Sequence, residues 1–375
     1  MRFLINCSNL KKGGGLQVAD SVCGQLSHFP DRQFVVVLSS WMDETAQRLR
    51  GVRNVRVVRH NIRNDWRTLL LGRDAVLDRL VENDRVDAVL TVFGPARWRP
   101  SCPHVCGFAR AQLVLGNSPY YKRMAWHERL RERLHNIVVA YLFRRGVDVF
   151  WTENPYITAQ LHGLFPSTVA GTVTNYYNQV FDEPARQREH ELPPFSGCTL
   201  LSVNASYPHK NLAITIAVAR CLTMLHPDFR FRFVLTVAEA ALPQVPEELK
   251  AHFCLIGRVG IDECPSLYRQ ADIMFQPTLL ECFTATYPEA MRMDVPIVTT
   301  DIAFARSLCG EAARYYSPLS ATAAAGAVYA VATDTGLRQR LIAAGHRQLK
   351  TYDNYTARAY KLIAMLEDAV RRHGA

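Results

Sequence analysis

The chain has 375 residues, 49% of them hydrophobic, which suits two ordinary domain cores better than one. No apolar run reaches 18 residues, so no membrane-spanning helix is expected, and the ten cysteines include no CxxC pair, which fits reduced thiols better than a disulfide framework. The formal net charge of +10 is uneven: residues 1–185 hold 24 Lys and Arg against 16 Asp and Glu, whereas residues 186–375 hold 20 against 18. An anionic partner on the first half would explain that bias, and so would a solvated basic surface. The opening, MRFLINCSNLKKGGG, lacks the apolar core and cleavage site of a signal peptide, and a cytoplasmic setting is expected.

In chain order, the first half shows the β-branched, apolar runs RFLIN, QFVVVLS, VRVVRH, DAVLTVF, PHVCGFA, DVFW and TVAGTVTN. The second half shows CTLLSVNA, FRFVLTV, HFCLIGRV, DIMFQPT and PIVTTD. Amphipathic stretches separate many of them. Near-continuous apolar strands alternating with helices predict parallel sheets covered on both faces, an α/β architecture. The polar segment DEPARQREHELPPFSG breaks the rhythm. Residues 1–182 are therefore read as one doubly wound, Rossmann-like domain, 183–197 as a linker, and 198–352 as a second such domain. The final helix, 353–375, is expected to pack back on the first. Ligands of such folds gather at strand C-terminal ends, so a cleft between the domains is expected.

Several stretches carry possible chemistry. KKGGGLQVADSV follows the first strand, and its glycines permit close backbone approach to a ligand at the start of a helix predicted over 16–26. It has neither GxGxxG spacing nor a P-loop GK[ST], and a plain tight turn explains it equally well. In SVNASYPHKNL, Lys210 stands at a loop-to-helix junction, where an ammonium can meet a phosphate. CLIGRVG carries Arg258 on a glycine-bounded turn. Cys102, His104 and Cys106 alternate along a strand, but no second cluster completes a tetrahedral set, so no metal site is expected.

The stretch LLECFTATYPEAM (279–291) holds two acids eight positions apart. Glu281 falls on a strand-to-helix loop, and Glu289 in the first turn of a helix that Pro288 helps to start and that runs through Met293. Two carboxylate oxygens match the two hydroxyls of a vicinal diol, which suits Glu289 to a ribose and Glu281 to a sugar hydroxyl. Backbone N–H groups around Thr284, Ala285 and Thr286 can hold phosphate oxygens.

These motifs, in this order over nearly the whole chain, resemble the family 4 glycosyltransferases, retaining enzymes of the GT-B fold. The E-x7-E pair Glu281 and Glu289, the lead-in SLYRQADIMFQPTLLECF, VTNYYNQVF, GGGLQVA and YPHKNL carry the likeness. It implies a nucleoside-diphosphate sugar held mainly by the second domain. Lys210 would neutralise the diphosphate, Glu289 bind the ribose and Glu281 orient the sugar at the reacting carbon, with Gly14 and Gly15 approaching from across the cleft. The sequence departs from the family at Ala205, where an arginine is usual and for which Arg258 is the replacement expected, and at Cys282 and Thr284, where glycines are usual. His104 is the candidate for the family's first-domain catalytic histidine.

Front-face transfer to a glycan or lipid-linked acceptor in polysaccharide assembly (lipopolysaccharide or capsule) is the expected reaction. No DxD-like carboxylate pair is visible, so neither a metal nor another cofactor is expected. A nucleotide-sugar epimerase or hydrolase of the same fold, and a non-catalytic scaffold, are the competing readings. Residues 119–145, rich in arginine and aromatics, suit either an anionic membrane surface or an ordinary packing helix. No nucleic-acid motif accompanies the charge.

Overall fold

A computed structural model describes residues 1–11, 13–63 and 65–374; Lys12 of the glycine-rich stretch, Asn64 and Ala375 lie outside the described residues. All twelve apolar runs form strands. In the first half these are β1 (Arg2–Cys7), β2 (Gln33–Leu38), β3 (Val55–Arg59), β4 (Ala88–Thr91), β5 (His104–Gly107), β6 (Val149–Thr152) and β7 (Val169–Thr172). In the second they are β8 (Cys198–Ser202), β9 (Phe231–Leu235), β10 (Phe253–Leu255), β11 (Ile273–Gln276) and β12 (Ile297–Thr300). A further strand, β13 (Ala313–Tyr316), extends the second sheet beside β12 and has no counterpart among the predicted runs.

The strands form two parallel sheets, ordered β3-β2-β1-β4-β5-β6-β7 and β10-β9-β8-β11-β12-β13. The order reverses between β1 and β4 in one and between β8 and β11 in the other, the points where doubly wound sheets open a crevice. Runs such as QFVVVL, buried from its second residue onward, sit in the sheet because β-branched side chains pack well on a pleat covered on both faces. Helix starts follow local chemistry. Asp74 caps Ala75–Asn83 by accepting from the Val76 and Leu77 amides, and Asn154 caps Pro155–Leu164 with a proline in the first turn.

Two compact units result. The first comprises Met1–Gly116, Met124–Asn175 and the chain from Asp353 onward; the second comprises Asn117–Arg123 and Tyr176–Tyr352. Segment 183–197 is packed rather than free. The Arg188 amide donates to the Asp262 carbonyl, the Leu192 amide to Gln270, and His190 meets Glu263, all within the second unit. Residues 119–145 do not form one element: a short 3-10 turn, Pro119–Arg123, belongs to the second unit, and helix Trp126–Gly146 to the first.

The last helix, Tyr355–Gly374, completes the first core with Leu362, Ile363, Leu366 and Ala369. At its start the Thr174 amide donates to Asp353 at 2.9 Å. Arg358, 2% exposed, donates to Asn175 and Ser21. Burial pushes its pKa down to about 10 and that of the facing Glu153 up to about 7, while each charge partly offsets the other's shift.

Gly107 ends β5 where the neighbouring strand's end approaches closely. A Cβ there would lie 1.8 Å from the Val92 carbonyl oxygen and 2.8 Å from the Trp151 ring. Gly107→Ala is expected to destabilise the first unit by roughly 1–3 kcal/mol or more. A urea titration followed by tryptophan fluorescence checks this, against Gly116→Ala, where no atom lies within 4 Å of the added carbon.

Candidate functional site

The second unit gathers the predicted residues at its switch point. β8 leads into a loop whose 3-10 turn, Pro208–Lys210, carries Lys210, and its neighbour β11 leads into the loop carrying Glu281. Residues 71 positions apart thus meet: Lys210 Nζ lies 2.7 Å from Glu281 Oε1, with the two side chains 12% and 9% exposed. The two loops are also tied by backbone, since the Leu279 amide donates to the His209 carbonyl at 2.8 Å. Asn211, in the left-handed region at φ 55°, ends the turn, and Arg123 donates to its side chain.

Glu289 lies in the first turn of helix Thr286–Arg292 and is 3% exposed. That helix ends at Arg292, one residue short of the predicted Met293, and Pro288 is its third residue. Tyr268 Oη donates to Glu289 Oε2 at 3.0 Å. Burial raises the Glu289 pKa to about 7, against the hydrogen bond from Tyr268 and the nearby charge of Lys210, which lower it. One ammonium therefore acts on both carboxyl groups. Thr284 and Thr286, both buried, lie with their hydroxyls 3.0 Å apart, and Ala285 precedes the helix.

Five contributors escaped the sequence reading. Tyr268 stands within the quoted SLYRQAD but gave no sign of its acid partner. His209, beside Lys210, stacks against Tyr207 at 5.6 Å; burial lowers its pKa, and Glu281 opposes that shift. Asn204 and Gln276 join their side-chain amides through two hydrogen bonds of 2.6 and 3.1 Å beneath the site. Ser118, from the 117–123 excursion, donates to the Leu279 carbonyl at 2.6 Å.

Other predicted residues are placed differently. Arg258 is exposed and follows β10, the outermost strand, two strands away from β8. Gly14 and Gly15 open helix Gly14–Gly24 after β1, two residues earlier than predicted. Nothing lies within 4 Å of a Cβ added at Gly14, whereas one at Gly15 would touch Leu10 and Phe93. The backbone demand for glycine falls instead on Gly13, at φ 78°.

His104 does not have the placement of a catalytic base. It begins β5, at the edge of the sheet opposite the strand C-terminal ends, and is 1% exposed. Thr91 Oγ1 lies 2.8 Å from its Nε2, and its Nδ1 meets the Gly146 carbonyl oxygen. Burial lowers its pKa, so it is a neutral core histidine with both ring nitrogens engaged.

The raised pKa of Glu289 has a definite consequence. Between its ordinary value of 4.5 and about 7 the folded chain holds a proton that the unfolded chain releases, so this group's contribution to stability falls as pH rises through that window. Above the window the carboxylate is buried and charged. Glu289→Gln is therefore expected to stabilise the ligand-free protein at pH 8, by on the order of 2–3 kcal/mol at most. The gain should vanish as pH falls toward the ordinary carboxylate range. Denaturant titrations of both proteins across pH check the sign.

Residues 186–348 match the family described as Glycosyl transferases group 1. No curated protein matches the sequence. Among solved structures, a glycosyltransferase from Rickettsia africae superposes with a TM-score of 0.67 at 13% identity, over 98% of each chain. An α,α-trehalose-phosphate synthase (UDP-forming) from Burkholderia vietnamiensis gives 0.67 at 12% identity, over 98% of this chain and 100% of its own. HepE from Anabaena, solved with UDP and glucose, gives 0.64 at 13% identity, over 98% and 99%. Residues 186–348 thus form a glycosyltransferase group 1 domain, in a chain with the two-unit fold of the GT-B glycosyltransferases.

Proposed function

We propose that this chain is a retaining glycosyltransferase of the family 4 type, moving a sugar from a nucleoside-diphosphate donor to a hydroxyl of a glycan or lipid-linked acceptor. The observation that carries this reading is the Lys210–Glu281 pair at the β8/β11 switch point, with Glu289 under the influence of the same cation. The setting proposed is polysaccharide assembly at the cytoplasmic face of a membrane.

The geometry supports the following roles. As the donor's C1–O bond to the diphosphate breaks, negative charge grows on the leaving oxygen, and the Lys210 ammonium stabilises it without having to reorganise. Glu289 accepts from the two ribose hydroxyls, which favours its carboxylate form over the protonated one, so donor binding releases a proton. Glu281 accepts from a hydroxyl of the transferred sugar and keeps Lys210 in register. The acceptor hydroxyl attacks the anomeric carbon from the face the diphosphate leaves. The new C–O bond forms there, and the acceptor proton passes to the diphosphate oxygen. Thr284, Ala285 and Thr286 border the phosphates, and Gly14 and Gly15 leave room for a substrate at the end of β1. The ligand named for HepE, UDP, supports a nucleotide-sugar donor.

Glu281→Ala is expected to lower turnover by about 10²–10³-fold, with the donor KM changed only a few-fold. Unchanged turnover would make Glu281 a bystander. The anomeric configuration of the product, followed by NMR, should match that of the donor, and inversion would end the front-face reading. Incubation of donor without acceptor separates transfer from a hydrolase or epimerase, since rapid donor turnover on its own would favour the latter. Nucleoside diphosphates should raise the melting temperature of the wild type, and less so that of Glu289→Ala.

A further inference from the structure

Helix Trp126–Gly146 has two apolar faces. Val139, Leu142 and Phe143 turn inward and are buried. On the opposite side Trp126, Leu130, Leu134, Ile137, Val138 and Tyr141 are exposed, Trp126 by 77%, Leu134 by 58% and Ile137 by 65%. At roughly 100° per residue these six fall within an arc of about 120°. The row continues past the helix end. Arg145 donates to the Leu69 and Leu70 carbonyls at 2.8 Å and to the Arg97 carbonyl at 2.9 Å, which holds exposed Leu70 and Leu71 beside it.

Arg129, Arg131 and Arg133 flank this row, and Arg144 and Arg145 fall within its arc at the helix end. The helix carries Arg129, Arg131, Arg133, Arg144 and Arg145 against two acids, both engaged elsewhere: Glu128 accepts from the Ala125 amide and Glu132 pairs with Arg110. At the same end opens a cavity of about 490 Å³, lined by Leu71, Arg73, Arg99, Arg144, Arg145 and His373 among others. The one acid in its lining, Asp148, accepts from the His104 amide through Oδ2. The cavity lies at the starts of β5 and β6, away from the strand ends where ligands of doubly wound sheets gather.

We infer that this face is a docking surface for an anionic bilayer: the apolar row enters the interface and the basic cavity receives a lipid phosphate headgroup. An exposed apolar stripe bordered by arginines and free of unpaired acids on its helix is what the boundary between acyl chains and anionic headgroups selects. A second copy is the less suitable occupant, because mating two such faces brings arginine against arginine. Among the described residues no helix is long and apolar enough to cross a membrane.

Flotation of the full chain with phosphatidylcholine vesicles, with and without phosphatidylglycerol, tests this. The wild type should rise only with the phosphatidylglycerol vesicles, and less so as salt increases. Leu134→Glu/Ile137→Glu, both at exposed positions, should weaken partition at least about tenfold. Arg99→Gln/Arg144→Gln should weaken it by about fivefold per arginine. Circular dichroism confirms that each variant folds. Absence of flotation, or flotation equal in all three proteins, overturns the proposal, and an unchanged arginine variant overturns its headgroup part. A wild-type dimer that Leu134→Glu/Ile137→Glu dissolves, without vesicle binding, would assign the face to self-association instead.

Discussion

The site depends on one ammonium shared by two carboxyl groups. Lys210 and Glu281 are both nearly out of solvent, and a buried pair of this kind is a poor source of net stability because desolvation consumes most of the attraction. Its value is positional. The cation is held at the end of β8 before any ligand arrives, and the parallel pairing of β8 with β11 fixes the distance. Replacing the pair by apolar side chains would keep the fold and remove the only reason for the two loops to present charge there.

Glu289 adds a second constraint. Its carboxyl is buried behind Tyr268, within reach of the Lys210 charge but without a cation of its own. An acid left so poorly compensated can still accept from further donors. Its strongly raised pKa, next to the switch point of the second unit, is the kind of perturbation that marks a candidate site.

Much of this was legible from residues alone. Strands such as QFVVVL and CTLLS announce themselves because both faces of a parallel sheet are covered, so no polar alternation interrupts them. The strand β13, ARYY, did not, since it lies beside only β12 and is half exposed. Lys210, Glu281 and Glu289 were singled out by loop position and likeness to a family, but no rule of spacing could pair Lys210 with Glu281 across a gap of 71 residues. His104 was misread because its partners, Thr91 and Gly146, lie 13 and 42 residues away. Arg258 was read as suited to a phosphate from its turn alone, and the residues by themselves offered no means of seeing that it follows the outermost strand of its sheet. Helix Trp126–Gly146 was ambiguous for a physical reason: with apolar groups on opposite sides, its periodicity cancels, and only burial distinguishes the two faces.

The placement of the last helix has a bearing on how the protein is made. The first unit requires Leu362, Ile363, Leu366 and Ala369 to close its core, yet those residues leave the ribosome after the whole of 176–352. Domains generally fold as units while synthesis proceeds from the N-terminus. Here the half translated first must wait, with the groove for its final helix uncovered, until the half translated second is already complete. Chaperone capture of nascent chains should therefore concentrate on the earlier unit, and a premature stop near residue 350 would leave a finished second unit tethered to an unfinished first one.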